Sequence, residues 1–137
     1  MTPNPHIIKA LNSLPEEHQT RIISEEPTLI KHIKNPSEKM QMLAVTKDFG
    51  PALSHINNPS EKVQLAAVKK NPEAIRHIEN PSEAVQMAAV AGDAFLIGLI
   101  EDPSEAVQLV AVKIDRDSIS YIHKPTTAVK KIASKKL

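Results

Sequence analysis

The sequence predicts an all-α fold, a right-handed α-solenoid of about five stacked two-helix repeats. Three observations support this prediction. One motif recurs at a fixed spacing, each copy joins a helix-start signal to an apolar run, and the apolar residues are almost all aliphatic. Aromatic residues are only 2% of the 137 residues, so the core must consist of Ile, Val, Leu, Met and Ala, which suit closely packed short helices.

The recurring motif is visible directly in the sequence. Its copies are NPSEKMQMLAV from Asn35, NPSEKVQLAAV from Asn58, NPSEAVQMAAV from Asn80, DPSEAVQLVAV from Asp102 and KPTTAVKKIAS from Lys124, separated by 23, 22, 22 and 22 residues. Between them lie the segments LSHI, IRHI, IGLI and ISYI, so each unit holds two elements. We predict one domain over residues 1–137, with a half repeat at 4–11, repeats at about 12–34, 35–57, 58–79, 80–101 and 102–123, and a C-terminal capping helix at 124–137.

Each motif is predicted to begin a helix. Asn and Asp are preferred N-cap residues, and the Pro that follows fits the first helical position. A Glu three residues after the cap can reach back to the cap amide, and its charge favours the positive end of the helix dipole. The predicted capping residues are Asn35, Asn58, Asn80 and Asp102, together with Glu38, Glu61, Glu83 and Glu105. The second element of each unit has only about two turns, and both an α-helix and a 3₁₀-helix fit it.

Helices this short are marginal in isolation, so stacking of successive units is obligatory. The unit NPSEKVQLAAVKKNPEAIRHIE resembles the short two-helix repeats of HEAT-like and leucine-rich-repeat-variant solenoids. It is also similar to NPSE-x-VQLAAV repeat proteins encoded by bacteria, phages and large DNA viruses. The resemblance covers about residues 4 to 134 and implies an architecture without a catalytic motif. It also implies a binding or scaffolding role, mostly toward proteins, and raises the hypothesis of a phage or viral protein that binds a host factor.

Composition excludes several classes of function. The formal net charge is +1, so no overall field attracts nucleic acid or an acidic membrane. The chain has no Cys, which fits a reducing compartment, and no run approaches the roughly 20 apolar residues of a spanning helix. With three Gly residues it has no phosphate-binding loop and no nucleophile elbow. We therefore expect a cytoplasmic protein without membrane contact, cofactor or enzymatic activity.

Two columns of polar residues recur at repeat spacing. His32, His55 and His77 share one position, which later becomes Leu99 and Tyr121. A metal site needs nitrogens about 2.0–2.1 Å from one ion, whereas packed helices lie about 8–10 Å apart, so we predict no metal and interpret the column as partly buried rings. The second column is Gln41, Gln64, Gln86 and Gln108. A hydrogen-bonded ladder that sets repeat register is the favoured interpretation, and a groove-facing binding ladder is the alternative.

Basic residues provide an alternative function, because aligned lysines on successive repeats could follow the phosphates of a nucleic acid. The candidates include Lys39, Lys62, Lys69, Lys70 and Arg76. The column is incomplete, since Ala84 and Ala106 replace the first two, and few aromatics are present to stack bases. A nucleic-acid-binding solenoid therefore ranks below protein binding or self-association.

Specificity is expected where the copies differ. Phe49 lies beside the extra residue of one repeat, and Phe95 and Leu99 replace polar residues in another. If these side chains are exposed together they form a partner site, and if buried they only adjust curvature, which is slightly favoured. The candidate partner-binding residues are Phe49, His32, His55, His77, Phe95, Leu99 and Tyr121.

Overall fold

The computed structural model describes residues 3–48 and 51–135, and these ranges are helical without strands. The α-helices are α1 (Pro5–Ser13), α2 (Glu16–Glu25), α3 (Glu38–Lys47), α4 (Glu61–Lys70), α5 (Glu83–Gly92), α6 (Glu105–Ile114) and α7 (Thr127–Ser134). The 3₁₀-helices are η1 (Pro27–His32), η2 (Pro51–His55), η3 (Pro72–His77), η4 (Ala94–Leu99) and η5 (Arg116–Tyr121).

From α2 onward, α-helices and 3₁₀-helices alternate and form two stacked layers. Each α-helix packs on the next α-helix, each 3₁₀-helix contacts the next 3₁₀-helix, and the two members of a pair contact each other. The prediction of an all-α solenoid of two-helix repeats is confirmed by this consecutive packing. The second element, which fitted two helix types in the sequence, is a 3₁₀-helix in every described pair, because a segment of five or six residues favours the tighter i to i+3 bonds.

The core runs along the array between the two layers. In α4 the side chains of Val63, Ala67 and Val68 are fully buried, and this i, i+4, i+5 spacing places them on one helix face. The same three positions are buried in the neighbouring helices, namely Met40, Ala44 and Val45, then Val85, Ala89 and Val90, then Val107, Ala111 and Val112. The alanines let neighbouring helices approach closely, so the period of the sequence becomes the period of the packing.

The predicted capping residues are two positions out of register. Asn35, Asn58, Asn80 and Asp102 are not N-caps, because the helices begin at Glu38, Glu61, Glu83 and Glu105. The N-caps are Ser37, Ser60, Ser82 and Ser104, whose hydroxyl oxygens accept from the backbone amides of Met40, Val63, Val85 and Val107 at 3.2–3.3 Å. Serine is as favourable an N-cap as Asn or Asp, and because it is the cap, the Pro before it lies outside the helix. Asn4 and Asn71, which also precede Pro, do cap α1 and η3.

The four glutamates consequently occupy the first helical position, where they cannot close a capping box. Their charge still lies at the positive end of the helix dipole. In two described cases the carboxylate reaches the next repeat instead: the Ser60 hydroxyl donates to Glu38 Oε2 at 2.9 Å, and the Ser82 hydroxyl donates to Glu61 Oε1 at 2.5 Å. These glutamates therefore connect successive repeats.

The asparagines before Pro also have a backbone role in two repeats. Asn35 and Asn58 have φ angles of 51° and 50°, in the left-handed region that Asn tolerates better than most residues. They lie in the turn between a 3₁₀-helix and the following α-helix, and their left-handed conformation explains Asn at this position without an N-cap bond.

Candidate functional site

The outer surface of the 3₁₀-helices carries the column that begins with histidines. His32 and His55 are partly buried, as predicted, whereas His77 is exposed. At the same position of the last two repeats, Leu99 is 46% exposed and Tyr121 is 55% exposed. The column therefore changes from polar and half-buried to apolar and solvent-facing along the array.

Leu99 and Tyr121 of this column, together with Phe95 on η4, make up what we call the apolar patch. Phe95 is 39% exposed, and its ring meets the Tyr121 ring edge to face, with centroids 5.3 Å apart and an interplanar angle of 79°. This geometry suits the aromatic quadrupoles and contributes about 0.5–1.5 kcal/mol beyond area burial. The slightly favoured interpretation that Phe95 and Leu99 are buried is wrong, because η4 presents Leu96 and Ile97 to the core and turns these two outward.

Gly98 allows the Tyr121 side chain to approach η4 closely. A Cβ atom at residue 98 would be 3.2 Å from Tyr121 Cδ1 and 3.3 Å from Tyr121 Cβ, which is tighter than ordinary contact. Equivalent positions hold Ser54, Arg76 and Ser120. The missing side chain therefore leaves space for the tyrosine ring, a contact that the exchange of residues in the sequence does not reveal.

The glutamine column has a uniform hydrogen-bonding role. The side-chain amides of Gln41, Gln64, Gln86 and Gln108 each donate to a Pro carbonyl five residues earlier, at 3.0 Å. Each bond lies within one repeat and fixes the turn before its own helix, so it does not itself connect neighbouring repeats as the predicted ladder would. Gln108, which is 5% exposed, also accepts from the Thr126 amide at 3.1 Å and is the glutamine with a described bond to the next repeat.

The other glutamines are only partly buried, and polar clefts open beside them. Gln41 and His55 line a cleft of about 670 Å³, and Gln64 and His77 line the equivalent cleft of about 380 Å³. In these two repeats the structure thus places the glutamine on the same cleft as the histidine of the following 3₁₀-helix. At Gln86 the following residue in this column is Leu99, where the polar pairing is replaced by the apolar patch.

Of the predicted partner-binding residues, Phe49 and His32 do not belong to the apolar patch. Phe49 lies outside the described residues. The Nε2 atom of His32 is buried without a hydrogen-bond partner. Within residues 3–48 and 51–135, no group of three or more His, Cys, Asp or Glu side chains is arranged to hold a metal ion.

Two of the candidate basic side chains are paired with carboxylates. Lys62 Nζ lies 3.7 Å from Glu38 Oε1 in the preceding repeat, and Arg76 Nε donates to Glu73 on the same 3₁₀-helix. Both pairs are exposed, so they contribute little stability. They do place negative charge beside the cations that a phosphate backbone would have to reach.

In the described part of the chain, no helix combines the length and apolar character needed to cross a membrane. No protein-family model matches this chain, and neither a curated protein nor a solved structure matches it. The resemblance to HEAT-like and leucine-rich-repeat-variant repeats therefore stays a prediction based on the motif, and the fold rests on the helical packing described above.

Proposed function

We propose that this chain is a non-catalytic solenoid that binds a protein partner through the apolar patch. The observation that carries the proposal is the exposed edge-to-face pair of Phe95 and Tyr121, together with the exposed Leu99 on the same 3₁₀-helix as Phe95. Single exposed apolar residues are ordinary on protein surfaces, but a contiguous group is characteristic of an interaction site. Aromatic anchors of this kind dominate the binding energy of many interfaces.

Comparison between repeats supports the same proposal. The position of Phe95 holds Glu73 in the preceding repeat and Asp117 in the following one, and the position of Leu99 holds His77. The fold therefore accepts polar residues at these places, so packing does not require the apolar ones. The aromatic pair is also held before binding by its mutual contact and by Gly98, which reduces the ordering cost on association.

The proposed partner is a protein in the cytoplasm, in keeping with the absence of Cys. The motif resemblance suggests that this chain is a phage or viral protein and that its partner is a protein of the host. Nucleic acid is the second candidate that the lysines raise. Its support is weaker, because Lys62 and Arg76 are each paired with a carboxylate. A gel shift on DNA and RNA at low ionic strength tests it, since phosphate binding is strongest there.

The test of the proposal replaces the patch by residues that the other repeats use at the same positions. The variant Phe95→Glu, Leu99→His, Tyr121→His should retain the far-UV circular dichroism of the wild type and lose capture of the partner from a lysate of the native host. Loss of one hot-spot side chain costs about 2 kcal/mol, or about 30-fold in Kd, so the triple variant should give no detectable capture.

The matched control is Ile114→Lys, because Ile114 is 53% exposed outside the patch and its equivalent in an earlier repeat is Lys70. This variant should capture the same protein as the wild type. Equal capture by the triple variant would refute the proposal, as would a triple variant that loses its helical signal, since the patch would then belong to the core.

A further inference from the structure

Polar clefts recur between successive repeats. The first contains Gln41 and His55, and the second contains Gln64 and His77 one repeat later. A third cleft, of about 240 Å³, contains Gln108. Each is lined by the Pro and the glutamine of one repeat and by residues of the next repeat. A row of similar polar clefts thus follows the period of the array.

The glutamines of the first two clefts each have a hydrogen-bond acceptor that the chain leaves unused. The Nε2 atoms of Gln41 and Gln64 donate to Pro carbonyls, but neither Oε1 atom accepts a hydrogen bond within the part of the chain that the structure describes. In that part, the buried side-chain atom without a partner is His32 Nε2, so both oxygens are accessible to solvent. In the third cleft the equivalent oxygen of Gln108 accepts from the Thr126 backbone amide at 3.1 Å. A backbone N–H group is therefore a donor that fits this position.

The first cleft is also positively charged. Lys31 and Lys34 line it together with His55 and Asn57, and among these described lining residues there is no carboxylate. Neither lysine forms an ion pair with another described residue. The second cleft differs, because Glu79 is part of its lining. The first cleft therefore offers two ammonium groups to an anionic group of a ligand.

These two features together limit the chemistry of the ligand. The lysines select an anion, and the unbonded glutamine oxygens select an N–H or O–H donor. The phosphates of a nucleic acid only accept hydrogen bonds, whereas an acidic peptide has both carboxylates and backbone N–H groups. The peptide must be extended, because a helix uses its N–H groups internally.

Repeat spacing fits such a segment. Packed helices lie about 8–10 Å apart, which sets the approximate distance between equivalent residues of neighbouring repeats. A chain in the polyproline II conformation advances about 9 Å in each turn of three residues and leaves its N–H groups free. Every third N–H group of the segment therefore meets the glutamine of a successive repeat.

We propose that the first two clefts bind an extended acidic segment of the protein partner. A Glu or Asp side chain of the segment lies between Lys31 and Lys34, and its backbone N–H groups donate to Oε1 of Gln41 and Gln64. This inference rests on the proposed function, since it assigns the segment to the protein that the apolar patch binds. Main-chain hydrogen bonds supply affinity, and the lysines supply selectivity for acidic sequences.

The test is an NMR titration of the isotope-labelled chain with the blocked peptide acetyl-Glu-Glu-Ser-Ala-Ser-Ala-amide, at concentrations up to about 10 mM. The peptide should shift the side-chain amide signals of both Gln41 and Gln64. The same peptide with Gln-Gln in place of Glu-Glu should bind about fivefold more weakly, because two exposed ion pairs are lost. Tripolyphosphate, an anion without N–H donors, should leave the Gln64 signal unchanged.

Two double variants test the position of the acidic side chain. The variant Lys31→Ser, Lys34→Asn introduces the residues that the next repeat has at these positions, so its circular dichroism should be unchanged. Its Kd for the peptide should rise about fivefold. The matched control Lys69→Ala, Lys113→Ala also removes two exposed lysines, at a position that holds Ala91 in another repeat, and should bind as the wild type does.

A peptide that shifts neither glutamine signal overturns the proposal. Equal binding of the Gln-Gln peptide, or equal weakening in the two double variants, also overturns it. A shift of the Gln64 signal by tripolyphosphate as large as that by the peptide has the same consequence, because the clefts would then bind anions without needing a donor.

The titration and the capture experiment fail separately, because the peptide has no side chain that needs the apolar patch. A failed titration, with capture lost in the patch variant, leaves the proposed function standing. A successful titration, with capture unchanged in the patch variant, overturns binding through the patch and leaves the acidic-peptide site.

Discussion

Because Gly92 contacts Pro72, the effect of Gly92→Ala on the free energy of unfolding should depend on whether residue 72 is Pro or Ala. Gly92 ends α5, and a Cβ atom there would lie 2.3 Å from Pro72 Cγ and 3.1 Å from Pro72 Cβ on η3 of the preceding repeat. Carbon atoms in contact are normally about 3.5–4.0 Å apart, so more than 1 Å must be recovered by moving the ring or the helix end. One repeat later the equivalent pair is Ala94 and Ile114, where a small residue faces a large one.

We expect Gly92→Ala to destabilise the wild type. Overpacking costs about 1–3 kcal/mol, and replacing a helical Gly by Ala returns about 0.5–1 kcal/mol. The net loss is therefore about 1–2 kcal/mol, equivalent to a decrease in Tm of about 3–7 °C for a chain of 137 residues. In a Pro72→Ala background the ring is absent, so the same substitution should stabilise by about 0.5 kcal/mol.

The assay is a double-mutant cycle on the free energy of unfolding, measured by urea denaturation with circular dichroism and checked by calorimetry. The quantity of interest is the difference between the two effects of Gly92→Ala, which isolates the contact with Pro72 from the helix propensity of alanine. The reasoning is refuted if Gly92→Ala has the same effect in both backgrounds, or if it stabilises the wild type.

Three further substitutions test other contacts. Ser82→Ala removes an N-cap and the bond to Glu61, so it should lower the free energy of unfolding by about 1–2 kcal/mol. The control Asn80→Ala should change this free energy by less than about 0.5 kcal/mol. Equal losses in the two variants would show that Asn80 is the cap. Gln108→Met leaves the Thr126 amide and the Pro103 carbonyl without this partner and should cost about 1–3 kcal/mol, more than Gln86→Met in the same denaturation assay. Gly98→Arg should displace the single tyrosine, Tyr121, and increase quenching of its fluorescence by acrylamide; unchanged quenching would show that the ring does not depend on Gly98.

The helix starts show how far a sequence pattern can be interpreted. The motif contains two adjacent cap signals, Asn-Pro and Ser-Glu, and propensity alone does not choose between them. The structure uses Ser82 in place of Asn80, and the glutamate then lies too early to return to its own cap. Its bond to the serine of the next repeat, as between Glu61 and Ser82, becomes visible only when the repeats are stacked.

The candidate site was predicted as a set of positions without geometry. Irregular positions in the repeat indicate Phe95, Leu99 and Tyr121, but whether each side chain is covered depends on the elements that pack around it. Leu96 and Leu99 are three residues apart and share one face of a 3₁₀-helix, yet Leu96 is buried and Leu99 is exposed, so helix periodicity alone does not predict the exposure of Leu99. The contact between Phe95 and Tyr121 joins residues 26 positions apart and needs the register of two stacked repeats.

By itself, the sequence determined that this protein is an all-α array of two-helix units, because each 22-residue period joins a helix-start signal to an apolar run, and helices this short are marginal unless they stack. Tertiary structure alone decided which signals cap the helices, how Gln108 and the glutamates connect neighbouring repeats, and where apolar groups reach the surface. The repeated motif predicts the helices and the buried positions that all copies share. The exposure of Ile7 at one end, and of Phe95 and Tyr121 in the last repeats, depends on which neighbours each copy has.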